Sequence, residues 1–404
     1  MQRIVERAQT QQTRNDVTKK FLVTLIYLMF LFVLVEIFSF AIGKVLQGKW
    51  SMYRDPIIQD GKNAVSYDEY LKTRDPDLGW PRAEDFGKNT YDHDGARWCL
   101  DSGVNNSERW SISLYGDSFT ADKIGGNTDH WGCRLQRLTG TKTKNYGVGG
   151  YGTDQALIRY LNNKEDGAEV VILAHMSDDI SRNLTRYRDF LTYSQDWAFK
   201  PRFVIDKAGK LKNIPMPTLT SEDYNRFIGL QDPQLILPHE NFHPNGPSGA
   251  VRLTFPYTLS IIRNFDFWEL QSRLAGKASY AAFYSKEHPF KGLQITTAIM
   301  LRFVQEAKLR GQSPLLVLFP GQDDLNYYRE NKRWHYQNLI DALREEGQNP
   351  INFGETLLTY LDGRPVNEAF GKKDPHHYNL EVSHLVADTV LERIKNNDIL
   401  TFIR

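Results

Sequence analysis

The sequence predicts an α/β fold, a three-layer α/β/α sandwich around a parallel sheet, preceded by one N-terminal transmembrane helix. Three observations carry this. From residue 110 onward, short apolar runs alternate with helical patterns. One run, Val-Val-Ile-Leu-Ala-His over 170–175, is apolar almost throughout, as a strand buried on both faces requires. Residues 21–43 form an apolar stretch interrupted by one charge, Glu36. Strand–helix alternation argues for a doubly wound parallel sheet.

Composition sets the outer bounds. The 404 residues suit one large or two medium domains, and 41% hydrophobic with 12% aromatic residues is enough for a substantial core. Fifty Lys+Arg against 49 Asp+Glu leave a net charge of +1. A surface that tracks nucleic-acid phosphates needs a clear basic excess, so no nucleic acid is expected as a partner.

The elements follow in order. Residues 1–20 are polar and predict a cytoplasmic tail. The 23 residues of 21–43 span roughly 34 Å as a helix, enough for a bilayer. A cleaved signal peptide has a shorter apolar core and an A-x-A-like site, and Gly43-Lys44-Val45-Leu46 matches that poorly. An uncleaved anchor is expected. Glu36 either lies near its outer end, pairs with another protein, or is carried neutral. Arg3, Arg7, Arg14, Lys19 and Lys20 precede the span, against Lys44, Lys49 and Arg54 after it. That bias places the N-terminus inside and the large domain in the periplasm or outside the cell. Two cysteines, Cys99 and Cys133, either form one disulfide across a loop or stay as buried thiols.

Residues 44–108 predict a lead-in of loops and short strands, with turn signals at Asp75-Pro-Asp-Leu-Gly-Trp80-Pro81 and Asp92-His-Asp-Gly95. The main domain, 109–404, opens with a strand at 110–114. A helix at 129–138, a strand at 144–147, a helix at 153–161 and the strand at 170–175 follow. The rhythm breaks at about 184–290, an aromatic- and proline-containing insertion with a hairpin signal around Gly209, read as a cap over a pocket. It resumes with a helix at 295–310, a strand at 314–319, a helix at 333–346, a strand near 351–353 and a last helix at 380–394.

Candidate chemistry lies at the strand ends. Ser118, in Tyr115-Gly-Asp-Ser-Phe-Thr120, leaves the first strand where a tight turn exposes a hydroxyl and free backbone N–H groups begin a helix. A serine nucleophile needs a base, an orienting acid and oxyanion donors. Asp374-x-x-His377 precedes the last helix. Glycines in Asn145-Tyr-Gly147-Val-Gly149-Gly150-Tyr-Gly152 permit close backbone approach to an oxyanion. Met176-Ser177-Asp178-Asp179 leaves the third strand. Ligands of open α/β sheets bind outside these carboxyl ends.

These blocks resemble those of the SGNH (GDSL-type) hydrolases, in particular the membrane-anchored, extracytoplasmic bacterial members linked to polysaccharide O-acyl modification. The resemblance covers about 110–183 and 314–395, and lead-ins of anchored members look similar to Asp75 to Trp80 and Asp94 to Arg97. It implies a flavodoxin-like sandwich with Ser118 as nucleophile, His377 as general base, Asp374 as its orienter, and Ser118, Gly150 and Asp178 at the oxyanion hole. It implies no cofactor, a glycan substrate carrying O-acetyl or other O-acyl groups, and partners among envelope polysaccharide-modification proteins. The third block departs from the family's Gly-x-Asn-Asp. Its donor position holds Asp178, and an ionised carboxylate cannot donate. Either Ser177 supplies the donor after a one-residue shift, or the hole has fewer donors, or the activity differs, or the site is degenerate; a competing reading makes Asp178 a structural carboxylate bonded to Arg182 or to nearby backbone.

Other readings compete. Esterase and acyltransferase share an acyl-enzyme and stay unseparated. A degenerate domain would bind glycan or scaffold an envelope complex, and a lipid or thioester hydrolase would need a long apolar groove. Gly147-x-Gly149-x-x-Gly152 also fits a dinucleotide fingerprint, though the strand before it is short and polar. His376, His377 and His384 with Asp374 fit a metal poorly, without thiolates or H-E-x-x-H spacing. His175 is expected as a satisfied core residue. Tyr187, Phe190, Tyr193, Trp197 and Phe199 are expected as core rather than a sugar platform.

Overall fold

The computed structural model describes residues 2–46, 66–81, 91–97, 99, 111–126, 128–191, 199–229, 231–244, 248–249, 253–263 and 265–396, with side chains from residue 14. Most of the lead-in, Trp110 at the start of the first predicted strand, Tyr193 and Trp197 lie outside the described residues. The chain forms two compact units, one of residues 1–56 and 244–266, the other of 57–243 and 267–404.

In the larger unit the strands are β1 (Ile112–Tyr115), β2 (Thr143–Asn145), β3 (Val170–Met176), β4 (Arg202–Ile205), β5 (Leu211–Ile214), β6 (Ser313–Phe319) and β7 (Ile351–Asn352). Five of them make one sheet in the order β2-β1-β3-β6-β7, every pair parallel. β4 and β5 pair separately as an antiparallel hairpin. Omitting that hairpin, the sheet has the 2-1-3-4-5 order of flavodoxin-like folds. All residues of β1, β2, β3 and β7 are buried, and β6 is buried from Leu315 on, so both sheet faces are covered.

Parallel neighbours need long crossovers, and helices supply them. Helix Trp131–Thr139 joins β1 to β2, Thr153–Asn162 joins β2 to β3, and Gly292–Leu309 leads into β6. Trp131–Thr139 packs with Leu380–Asn396, where Arg134 grips Asp388 by two bonds of 3.1 and 2.9 Å. Thr153–Asn162 packs with Gly292–Leu309. These are two helix layers flanking the sheet. The predicted elements appear within a few residues, with two exceptions. The helix expected over 333–346 is confined to Gln337–Glu345, because Trp334 and Tyr336 sit in a turn and stack on Tyr328 and each other. Two helices are absent from the predicted elements: the polar Gln322–Asn331, and Phe353–Leu361, whose buried Phe353, Leu357 and Leu361 recur four apart just after a predicted strand.

The 184–290 insertion is divided between the units. Tyr187 and Phe199 are buried with Tyr70, Tyr224 and Phe227 in a second aromatic core, and Phe190 packs against it. Residues 244–266 belong with the N-terminal helix. That helix, Gln2–Leu46, contains a stretch, Arg14–Val45, long and apolar enough to cross a membrane. Cys99 and Cys133 are disulfide-bonded, closing a loop that contains β1.

Candidate active site at the carboxyl edge of the sheet

β1 carries Ser118 to the point where chain order reverses, between β1 and β3. The sequence makes this turn tight. A Cβ on Gly116 would collide with the Thr120 side chain and lie 3.1 Å from the Ala174 carbonyl, so only glycine fits. Asp117 caps the single helical turn Ser118–Ala121 by accepting from the Phe119 N–H at 2.9 Å. Asn145 locks that turn from the next loop. Its Nδ2 donates to the Thr120 carbonyl at 2.7 Å, and its Oδ1 accepts from Gly147 N–H at 2.9 Å. Gly147 must be glycine, since a Cβ would sit 2.5 Å from Ala121 N.

Asp374 and His377 arrive on the loop before the last helix. His377 Nδ1 and Asp374 Oδ2 are 2.7 Å apart. The His376 N–H donates to Asp374 Oδ1 at 3.3 Å, and Tyr378 Oη ties the loop to the Pro320 carbonyl at the end of β6. Partial burial raises the Asp374 carboxyl, but the hydrogen bond and charge of His377 outweigh it and hold the group below the usual carboxylate range. A cleft of about 250 Å³, including its open mouth, is lined by Ser118, Phe119, Asp122, Trp131, His377 and Tyr378 among others. Ser118 and His377 thus share one cleft. Among the described residues no hydrogen bond joins their side chains, a looseness common without substrate.

Two backbone donors lie in the loops that follow β1 and β2. Among the described residues neither Ser118 N–H nor Gly150 N–H donates a hydrogen bond within the fold. The Gly149 carbonyl accepts from Trp80 Nε1 at 3.0 Å, and the Gly150 carbonyl from Arg188 Nε at 3.2 Å. A trans peptide opposes C=O and N–H, so Trp80 turns the Gly150 N–H away from itself. Gly150 has φ +79°, a conformation that favours glycine.

The third block is arranged differently from the shifted alternative. Ser177 is fully buried, and its hydroxyl donates to Asp324 Oδ2. It is not available to an oxyanion. The Asp178 carboxylate is held by Arg182 at 3.2 Å, and neither Asp178 nor Gly150 lines the Ser118 cleft. Arg182 also contacts Asp117 at 3.1 Å and Asp179 at 2.7 Å, and its Nη1 donates to the Tyr151 carbonyl. Three carboxylates thus surround one guanidinium. Burial raises Asp179 well above the ordinary range and the neighbouring Asp117 adds to it, despite Arg182. Burial also raises Asp117, opposed by Arg182. Burial disfavours the Arg182 cation, but the carboxylates more than compensate and hold it charged.

His175 is a core residue. Its ring nitrogens meet Thr153 Oγ1 at 2.6 Å and Tyr284 Oη at 2.8 Å, and burial lowers its pKa to about 3. The dinucleotide glycines serve internal packing instead: Gly147 against the Ser118 turn, and Gly152 against Asp154 and Asn183. His384 faces Asp129 at 3.1 Å rather than joining His377. Sequence reasoning missed Trp80 as a residue that holds the loops around Ser118, whereas the pairing of Asp178 with Arg182 is one of its alternatives. The Asp-Asp-x-x-Arg spacing, one helical turn, was the available signal for Arg182.

No family model matches the chain, and no curated protein matches its sequence. Among solved structures, a protein of the G-D-S-L family from Desulfitobacterium hafniense aligns at 12% identity over 70% of this chain and 98% of its own, with a TM-score of 0.34. A Bacillus subtilis protein aligns at 12% identity over 73% of this chain and 58% of its own, also at a TM-score of 0.34.

Proposed function

We propose that the chain is a serine-dependent esterase or acyltransferase acting on O-acyl groups, most simply acetyl, of an extracytoplasmic glycan. The carrying observation is that His377, paired with Asp374 at 2.7 Å, shares a cleft with Ser118 at the sheet's switch point. Asp374 fixes the proton of His377 on Nδ1, leaving Nε2 as the base. Ser118 Oγ attacks the acyl carbonyl as Nε2 takes its proton. The N–H groups of Ser118 and Gly150 are the candidate donors to the oxyanion. Collapse releases the glycan hydroxyl, protonated by His377, and leaves an acyl-Ser118. Water then regenerates the serine and a free acid, or a second hydroxyl accepts the acyl group. Asp178 is assigned a structural role with Arg182, not a donor role.

In this reading residues 21–43 anchor the chain in the cytoplasmic membrane, N-terminus inside, with the larger unit in the periplasm or outside. Glycan as substrate rests on that orientation and on the family resemblance. Turnover of p-nitrophenyl acetate by the full chain, with and without an acceptor oligosaccharide, tests the reading. Acceptor-dependent acyl transfer assigns a transferase, and release of acetate alone assigns an esterase. No turnover that depends on Ser118 removes both. Added protease should degrade the larger unit in cells stripped of any outer membrane; its protection would reverse the orientation.

A further inference from the structure

Along the described side chains of the N-terminal helix only Glu36, Ser39 and Gly43 are buried. Spaced three and four apart, they form one stripe on an otherwise exposed apolar rod. The stripe is occupied by residues 253–258 of the same compact unit. Leu253 fits against Gly43, where a Cβ would meet its side chain. Thr258 Oγ1 lies 2.7 Å from Ser39 Oγ. Tyr257 packs at a tilt against Phe40 with ring centroids 4.9 Å apart, and Phe255 meets Phe32 edge-on at 6.2 Å. The segment therefore runs from the level of Gly43 toward that of Phe32 and returns to Glu36 and Phe40. Eleven residues of helix rise about 16 Å, roughly half of a ~30 Å hydrocarbon layer.

We propose that residues 253–263 are a second membrane-embedded element, a re-entrant strap in the outer leaflet whose outward face is covered by lipid acyl chains. This rests on the reading of 21–43 as a membrane anchor. A turn inside hydrocarbon must satisfy its own backbone groups, and at Pro256, Tyr257 and Thr258 this one does. Pro256, beside Phe255 at the tip, has no N–H to satisfy. The helix Tyr257–Arg263 starts directly after it, and its first N–H groups, of Tyr257 and Thr258, both donate to the Glu36 carboxylate. The one charge in the apolar stretch thus stands where an unpaired helix start needs an acceptor. The strap is inverted relative to a soluble helix. Phe255, Leu259 and Ile262, four and three apart, point outward at 64, 40 and 66% exposure, while Thr258 and Ser260 face inward. That outward stripe continues the exposed apolar surface of the anchor itself. Chain connectivity then ties the larger unit to the bilayer at three places, after residue 56, before 244 and after 266, instead of one.

Nitroxide accessibility tests this in the full chain reconstituted in phosphatidylcholine–phosphatidylglycerol vesicles. The native cysteines are bonded to each other, so labels go to introduced thiols at Leu259→Cys, at Phe30→Cys in the span and at Lys207→Cys in the β4–β5 turn. The Leu259 label should match the Phe30 label, with access to oxygen several-fold above access to a water-soluble nickel chelate, and the Lys207 label should show the reverse. A Leu259 label open to nickel beside a lipid-exposed Phe30 label overturns the strap and leaves the anchor standing. A Phe30 label open to nickel overturns both. A Leu259 label shielded from both reagents means protein, not lipid, covers the face and also overturns the proposal. Glu36→Leu should move the Leu259 label toward nickel access, whereas Glu36→Gln, which keeps an acceptor oxygen, should not. If Glu36→Leu fails to insert, the comparison of the Leu259 and Phe30 labels in the Glu36 background still decides.

Discussion

Ser118, Asp374 and His377 stand near the surface, whereas Ser177, Asp324 and His335 make a second grouping of the same residue types inside the domain. Both lie beyond carboxyl ends of sheet strands. In the inner group Asp324 is the hub. It accepts from Ser177 Oγ, from Gly321 N–H at 2.7 Å and from His335 Nδ1 at 2.9 Å. His335 Nε2 accepts from Ala278 N–H at 3.4 Å, so its proton sits on Nδ1. The serine there hands its hydrogen bond to a carboxylate and has no base. All three side chains are essentially inaccessible. In the outer group the order is acid, histidine, open Nε2, and the His377 side chain is 33% exposed. Residue type alone does not separate the two groups. The sequence of hydrogen bonds and access to a substrate do.

The sharpest break of this comparison is mutational. Ser118→Ala or His377→Ala should lower ester turnover by about 10⁴-fold or more with an unchanged melting temperature, and Ser118→Ala/His377→Ala should be little worse than either alone. His376→Ala should keep full activity; loss there would mean the wrong histidine has been placed as base. The inner group should behave in the opposite way. Asp324→Ala strands a buried serine and histidine and should cost about 3 kcal/mol or more in denaturant unfolding. Ser177→Ala should cost less, about 1.5–3 kcal/mol for a hydrogen bond to a charged acceptor, with kcat unchanged. A collapse of kcat in a folded Ser177→Ala protein would make the inner group catalytic after all.

Smaller effects sit between the groups, around Arg182. Asp179 titrates well above 3.8 in the fold, by burial first and Asp117 next. Its folded form therefore holds a proton that the unfolded chain has lost. The stability this brings is complete below the unfolded value and is lost as pH rises through the folded one. Asp117, Asp178 and Arg182 face the same space, and only the first two share its charge. Asp179→Asn should accordingly lose less melting temperature than the parent as pH rises from about 4 to 8; parallel curves would show that Asp179 is ionised throughout. The smallest effect belongs to Asp178→Asn. Paired with Arg182 and partly exposed, it should cost under about 1 kcal/mol and leave kcat near parental. A rise approaching the 10²–10³ associated with one oxyanion donor would return Asp178 to the hole.

Much of this is legible in the sequence, for physical reasons. β3 declares itself because a strand covered on both faces must be apolar along its length. Ser118 and Asp374–His377 stand out because a strand exit and an Asp-x-x-His turn are local patterns. What stays hidden depends on distant partners. Ser177 looks like a spare donor until Asp324, far along the chain, takes its proton. Trp80 lies in a lead-in whose role emerges only when its indole reaches Gly149. Glu36 looks like a flaw in an apolar span until Tyr257 and Thr258 arrive with their N–H groups.

The central claim is that Ser118 is the residue that becomes acylated. Rapid quenching of the full chain with p-nitrophenyl acetate, followed by mass measurement of its peptides, tests this directly. The account predicts a burst of nitrophenol and an acetyl group on the peptide carrying Ser118, absent in Ser118→Ala and much slower to form in His377→Ala. An acetyl group on another residue, with a burst that survives Ser118→Ala, would contradict it.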